Sequence, residues 1–253
     1  MNRKKWLSAL LAAALLVGMF LFPTASAAGN SAFTDITDPN QANAAETLRL
    51  LGVVSGNGSG AFRPSSTLTR GEFCKMVVEI MGRGDEEPAQ RSRTIFTDVG
   101  SSHWARGYIN LASSITVGGG ASSGDGETQT PGTRLIMGVG DGTFRPDRPI
   151  TMGEAVTILM RVLGYEDKDV ATGTVWYEGY LALAAQAGLD KKLSVSGSAN
   201  LTRGQAAILF YNLLFTKSKG SEELYLTTHG CSITEPAVLL NVTSAAAGAD
   251  NGK

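Results

Sequence analysis

Cysteine and histidine are scarce in this 253-residue chain, with two of each. Cys74 and Cys231 provide no disulfide framework, and Cys74 reads as a small buried apolar residue, a reactive thiol being the alternative. His103 and His229 form no cluster with metal-ligand spacing. His229-Gly230-Cys231 puts two reactive side chains close together, yet nothing nearby is organised to position a nucleophile and its base. Charged residues make up only 18% and the formal net charge is −1, so no basic face for nucleic acid is implied. Gly138-Val139-Gly140-Asp141-Gly142 has neither the Lys-Ser/Thr of a phosphate loop nor the alternating ligands of an EF-hand. These absences argue against an enzyme and call for no cofactor, metal or nucleic-acid partner.

Only one long hydrophobic run exists, and it stands at the start. Arg3, Lys4 and Lys5 precede an apolar stretch from Trp6 to Phe22. Pro23 breaks it, and Ala25-Ser26-Ala27 is a small-x-small cleavage site. Residues 1–27 therefore read as a signal peptide, an uncleaved anchor being the alternative; the run is short for a membrane span. Cleavage removes three positive charges and leaves an acidic, exported chain with no membrane partner.

The chain is organised around a motif that recurs. Thr69-Arg70-Gly71-Glu72, Thr151-Met152-Gly153-Glu154 and Thr202-Arg203-Gly204-Gln205 each follow an aliphatic residue and open an apolar run. Each is a capping box, in which the Thr hydroxyl accepts from the backbone N–H three residues on and the Glu or Gln reaches back. Phe73, Met76, Val77, Ile80 and Met81 then follow at helical spacing, as do Ala155, Ile158, Leu159, Val162 and Leu163, and Ala206, Leu209, Phe210, Leu213 and Leu214. A further helix is expected before each box: within Ala44 to Val54, through Tyr108, Ile109, Ala112 and Ile115, and through Tyr180, Leu181, Ala184 and Ala187. Two short amphipathic helices cannot cover their own stripes, but three pairs can if the capped helices pack together. An all-α domain of three helix–turn–helix repeats follows. Its repeats run over 28–95, ending in a polar linker from Gly84 to Arg93, over 96–166, and over 167–216. Gly118 to Thr133, rich in Gly and Ser, reads as an exposed insertion. Residues 217–253 read as an irregular or β-like tail, with strand-like content at Tyr225–Thr228 and Ala237–Val242.

In order, Phe33-Thr34-Asp35-Ile36, Gly60-Ala61-Phe62-Arg63-Pro64 and Leu68-Thr69-Arg70-Gly71-Glu72 resemble the S-layer homology repeat. Phe96-Thr97-Asp98-Val99, His103-Trp104-Ala105 and Gly142-Thr143-Phe144-Arg145-Pro146 repeat that likeness, which runs from Phe33 to Phe215. The resemblance implies a pseudo-threefold helical spindle that anchors an exported protein non-covalently to bacterial cell-wall polysaccharide, often one bearing a ketal-linked pyruvate. It implies location at the cell wall, with other surface-layer proteins as a second class of partner. A structural or assembly module that binds no sugar is the alternative.

Under that resemblance the ligand-binding candidates are Arg70, Arg203, Asp35, Asp98, Trp104, Trp176 and Glu72. A pyruvyl ketal presents a carboxylate, and a helix N-terminus offers N–H donors and partial positive charge. Arg70 and Arg203 add a planar, permanently charged fork there. Trp104 and Trp176 offer a flat apolar face to sugar C–H groups, or else pack in the core. Asp35 and Asp98 accept from sugar hydroxyls or cap their own first helices. Glu72 caps or binds, and Arg63 and Arg145 sit at the surface or bridge repeats. Met152 stands where the second box should carry Arg, Asn40-Gln41 where the first repeat should carry Trp, and the third repeat lacks Phe-Arg-Pro. One or two competent grooves are expected rather than three.

Overall fold

A computed structural model describes residues 32–56, 60–118, 132–171, 173–229, 231–233 and 242–244. The expected signal peptide and most of the expected insertion lie outside the described residues. What is described is mostly helical: α1 (Pro39–Leu50), α2 (Arg70–Ile80), α3 (Arg106–Ser114), α4 (Met152–Val162), α5 (Glu178–Ala187) and α6 (Arg203–Leu214). Two small antiparallel ribbons accompany them. β1 (Thr116–Val117) pairs with β2 (Thr133–Arg134), and β3 (Cys231–Ile233) pairs with β4 (Val242–Ser244).

All three capping boxes form. Thr69 N–H donates to Glu72 at 2.8 Å, Thr151 N–H to Glu154 at 3.1 Å and Thr202 N–H to the Gln205 side chain at 3.0 Å. The Thr hydroxyls accept in return from the N–H three residues on. The helices before the boxes start differently. Asp38 caps α1 by accepting from the Gln41 N–H at 2.9 Å, and Pro39 takes the first helical position. This helix begins five residues before the expected Ala44, because an Asp-Pro start outweighs a polar first turn. At the other end of α3, Ile115 is already extended. Each helix with the capped helix after it is taken as a unit: α1 with α2, α3 with α4, α5 with α6.

The residues just before the boxes meet at the centre. Leu68 N–H donates to Leu201 O at 2.9 Å, Leu201 N–H to Ile150 O at 2.8 Å, and Ile150 N–H to Leu68 O at 2.9 Å. This closed ring of three bonds buries all three side chains. Each capped helix then packs mainly on the helix that follows it, α2 on α3 and α4 on α5, while α6 returns to pack on α1. The expectation that capped helices pack chiefly on one another needs correcting; only α4 and α6 are substantially in contact. The glycine inside each box explains the closeness. A Cβ at Gly153 would run into the Tyr177 ring of the next unit, and one at Gly71 would sit 3.3 Å from the Ala105 methyl and 3.2 Å from Pro146 O.

Two polar stretches are more ordered than their composition suggests. The expected linker forms two 3-10 turns, Gly84–Glu86 and Pro88–Gln90. It is tied to α3, where Asn110 Nδ2 donates to Gln90 O at 2.8 Å and Arg93 O at 2.7 Å. Glu87 is buried and accepts from both Arg91 Nε and Nη2. The segment after α6 docks as well: Lys219 N–H donates to Leu163 O at 2.7 Å, and Tyr225 and Leu226 are buried. Tyr225–His229 is a 3-10 helix, not the strand its residues suggest; two buried side chains on successive positions suit a tight turn lying on the core.

Candidate functional site

The aromatic and charged motif residues form one bracket, built twice. Phe33 packs on Phe62 with ring centres 5.0 Å apart, and Phe96 on Phe144 at 5.2 Å. Asp35 accepts from the Phe62 N–H at 2.8 Å and the Arg63 N–H at 2.7 Å. Asp98 does the same for Phe144 at 2.8 Å and Arg145 at 2.7 Å. Arg63 and Arg145 are left-handed, with φ of 60° and 59°, a conformation that costs a non-glycine residue about 1–2 kcal/mol. The carboxylate holds two successive N–H groups and so fixes that turn. The Phe62 N–H, more than any other group, holds the Asp35 carboxyl below its ordinary pKa. Asp35 and Asp98 therefore clamp a turn. They do not cap α1 or α3, and neither lines a cleft described below.

Each bracket is closed by an arginine from another unit. Arg70 Nε donates to Phe144 O at 2.9 Å with its guanidinium 4.5 Å from the Phe144 ring centre. Arg203 Nε donates to Phe62 O at 2.8 Å, its guanidinium 4.9 Å from the Phe62 ring. The two then differ. Arg70 is 5% exposed and also donates to Glu154 Oε1 at 2.9 Å and Met137 O at 3.1 Å. Burial lowers its pKa against the pull of Glu154. Arg203 is 21% exposed, and its nearest acid is Glu72 Oε1 at 3.9 Å from Nη1. Its terminal nitrogens have no hydrogen-bond partner among the described residues.

The expected N–H donors at the helix starts are not available. Arg70 N–H donates to Arg148 O, Met152 N–H to Ala199 O and Arg203 N–H to Ser66 O, each at 2.9 Å. Gly71, Gly153 and Gly204 N–H groups donate to Pro146, Gly197 and Pro64 carbonyls. The next N–H goes to the capping Thr. Closure of the units consumes these donors, so an anion recognised here is not held by the helix starts.

Two clefts lie beside the brackets. The larger, about 420 Å³, is lined by Arg70, Glu154 and Arg161, by the 136–140 loop, and by Trp176. The smaller, about 190 Å³, is lined by Arg203, Glu72, Lys75 and Met76, by residues 53–55, and by Trp104. Trp104 is 51% and Trp176 61% exposed, so the core-packing alternative does not describe them. Both clefts share one plan: an arginine of one unit, the capping Glu and loop of the next, and the tryptophan of the one after. Sequence reasoning missed the loop residues, and missed Lys75 and Arg161, because their places along the capped helices have no motif attached.

The third interface of this plan falls on Met152, Gln205 and Asn40-Gln41. Gly204 lies against the Gln41 side chain as Gly153 lies against Tyr177. Met152 lies beside the unit that has Val195-Ser196-Gly197 in place of Phe-Arg-Pro. Arginine, aromatic turn, glutamate and tryptophan are thus absent from the same interface. The departures that look independent along the sequence are one departure in space.

Cys74 is fully buried, and burial pushes its thiol up to about 12, which removes the reactive-thiol alternative at neutral pH. Arg145 is exposed and bonds Asp141 at 2.9 Å.

The sequence model of the family described as "S-layer homology domain" matches residues 32–74 and 133–156. The chain therefore carries S-layer homology sequence at both segments, which contain the first bracket and its capping box, and the turn and box of the second. It is 29% identical over 213 residues to the middle cell wall protein of Brevibacillus brevis, covering 83% of this chain and 18% of that protein. It is 28% identical to a surface layer protein of Brevibacillus choshinensis, covering 76% of this chain and 15% of that one. A cell surface protein of Thermoanaerobacter kivui is 30% identical, with 72% of this chain and 21% of that protein covered. The chain thus spans about a fifth or less of the length of each of these three relatives. Among the described residues no helix is long and apolar enough to cross a membrane.

Proposed function

We propose that this chain is a non-covalent wall-anchoring module of an exported bacterial surface protein, with three repeats over 28–95, 96–166 and 167–216 closed as a pseudo-threefold spindle. Its ligand is an acidic, pyruvylated cell-wall polysaccharide laid in the clefts between repeats. The three-bond ring and the return of α6 to α1 support the closure. One observation carries the ligand reading: two clefts of common plan, each edged by a solvent-exposed tryptophan beside an arginine. A half-exposed indole leaves apolar area in water, and its flat face suits sugar C–H groups while its N–H stays free to donate. The relatives' names place comparable sequence in wall and surface proteins. The module works as a binder, with the chemistry of any longer protein lying elsewhere.

Sedimentation with isolated bacterial walls tests this. The wild-type chain is expected to pellet, and mild acid removal of pyruvate is expected to weaken that pelleting. Trp104→Ala with Trp176→Ala should leave the protein in the supernatant with its helical circular dichroism unchanged. A wild-type chain that stays in solution would favour the spacer or assembly module instead.

A further inference from the structure

We propose that the two clefts divide the ligand by charge: the smaller one reads the sugar carboxylate through Arg203 and Lys75, and the larger one takes an uncharged stretch. This rests on the wall-binding reading above and assigns Lys75 as a specificity-determining residue.

The argument is one of availability. In the larger cleft every nitrogen of Arg70 already donates to the protein, and Glu154 is shared between Arg70 and Arg148 at 2.9 and 2.5 Å. The second guanidinium there, Arg161, is also 5% exposed; Nη2 donates to Asp167 at 2.8 Å and Nε to the Tyr180 hydroxyl at 3.3 Å. A carboxylate entering this cleft meets two guanidiniums that are each already paired with a protein carboxylate, Arg70 with Glu154 and Arg161 with Asp167, and would compete with those pairs. The rest of its lining is Ile136, Met137, Val139, Ile158 and Trp176 with loop glycines, which suits the faces of a neutral sugar.

In the smaller cleft the same positions are differently filled. Lys75 takes the helical place that Thr157 holds in the larger one, three residues after the capping Glu. Thr157 is buried and uncharged, whereas Lys75 is partly exposed and lines the cleft. Lys75 makes no ion pair with a described carboxylate; its Nζ lies 5.8 Å from the Tyr108 ring centre. With Arg203 offering terminal N–H groups, two cations of the lining face one acid of the lining, Glu72, while Asp35 feels the Arg203 charge from outside it. Glu72 Oε2 is itself held by the Thr69 N–H at 2.8 Å, and its Oε1 is 3.9 Å from Arg203. Within the lining one positive charge is left over, on groups that need not break a bond to meet an anion. A fork and a point charge converging on one carboxylate make charge-assisted bonds, the stronger kind.

The test compares native walls with walls stripped of pyruvate by mild acid, across a salt series. Variants are Lys75→Thr, the residue found in the other cleft, and Trp176→Ala. Lys75→Thr should weaken pelleting with native walls about tenfold at low salt and flatten its salt dependence. It should leave pelleting with stripped walls unchanged. Trp176→Ala should weaken both preparations by a similar factor. Equal loss on both wall types for Lys75→Thr, or no loss on either, overturns the division. If the wild type pellets with neither, the anchoring reading itself fails. Pelleting that ignores pyruvate and Lys75 alike retains anchoring and removes only this inference.

Discussion

Arg70 and Arg203 occupy the same place in the motif and are held differently by their neighbours. Both bracket a phenylalanine turn in another unit, but only Arg70 is sealed against a carboxylate. Their removal should therefore separate. Arg70→Ala is expected to cost about 2–3 kcal/mol, since it takes one of two arginines from Glu154 and leaves the Phe144 and Met137 carbonyls without their donor in a buried site. Arg203→Ala should cost about 1 kcal/mol, as a partly exposed arginine with a distant acid. Urea unfolding of the two variants checks this. A double variant that keeps wild-type stability would contradict the bracket. The pH dependence has a definite sign. Burial opposes ionisation of Glu154, but the Arg148 hydrogen bond and the Arg70 charge outweigh it, and its folded pKa lies below the usual value of 4.5. The stabilisation is complete above that usual value and is lost as pH falls through the lower folded one. A melting temperature that falls below about pH 4.5, with a shallower fall in Glu154→Gln, is the expected result.

At the scale of elements, the capping boxes act as more than helix starts. Thr and Glu satisfy the local N–H groups, the glycine admits the next unit, and the first two N–H groups cross to a neighbouring turn. The box is therefore a joint. Its glycines should differ in tolerance according to what they face. Gly153→Ala puts a methyl into the Tyr177 ring, and overpacking of this kind costs about 1–3 kcal/mol. Gly204→Ala meets only the end of the Gln41 side chain, which can swing aside, and should cost less than about 1 kcal/mol. Thermal melts followed by circular dichroism distinguish them. Alanine is the better helix former, so losses of equal size at both sites would mean that what each glycine faces does not set the requirement.

At the scale of the whole molecule, closure is the main device. The contact of α6 with α1 joins segments at opposite ends of the described helical region, and the Leu68–Leu201–Ile150 ring ties all three units at one point. Ala44, Ala45 and Leu48 of α1 are fully buried. A chain lacking residues up to Leu51 should therefore lose more than one helix. Its urea transition, followed by tryptophan fluorescence and circular dichroism, is expected to broaden and to lose coincidence between the two probes. A sharp transition in the truncated chain would show that the units are stable without closure. Closure also makes the clefts. Each cleft draws on several units, so neither exists within one helix pair.

The three boxes, the helices that follow them and the family were all legible in the sequence, because capping chemistry and apolar spacing act within a few residues. So were the missing arginine, tryptophan and turn, though only as separate gaps. What those gaps have in common was decided by tertiary structure, since they come together only when the units close on one another. The same closure turned Asp35 and Asp98 into clamps, occupied the N–H groups at the helix starts, and engaged one arginine while leaving the other accessible. Local order follows from neighbours along the chain. The availability of a charge follows from what lies across from it, and that is set by contacts between residues far apart in sequence.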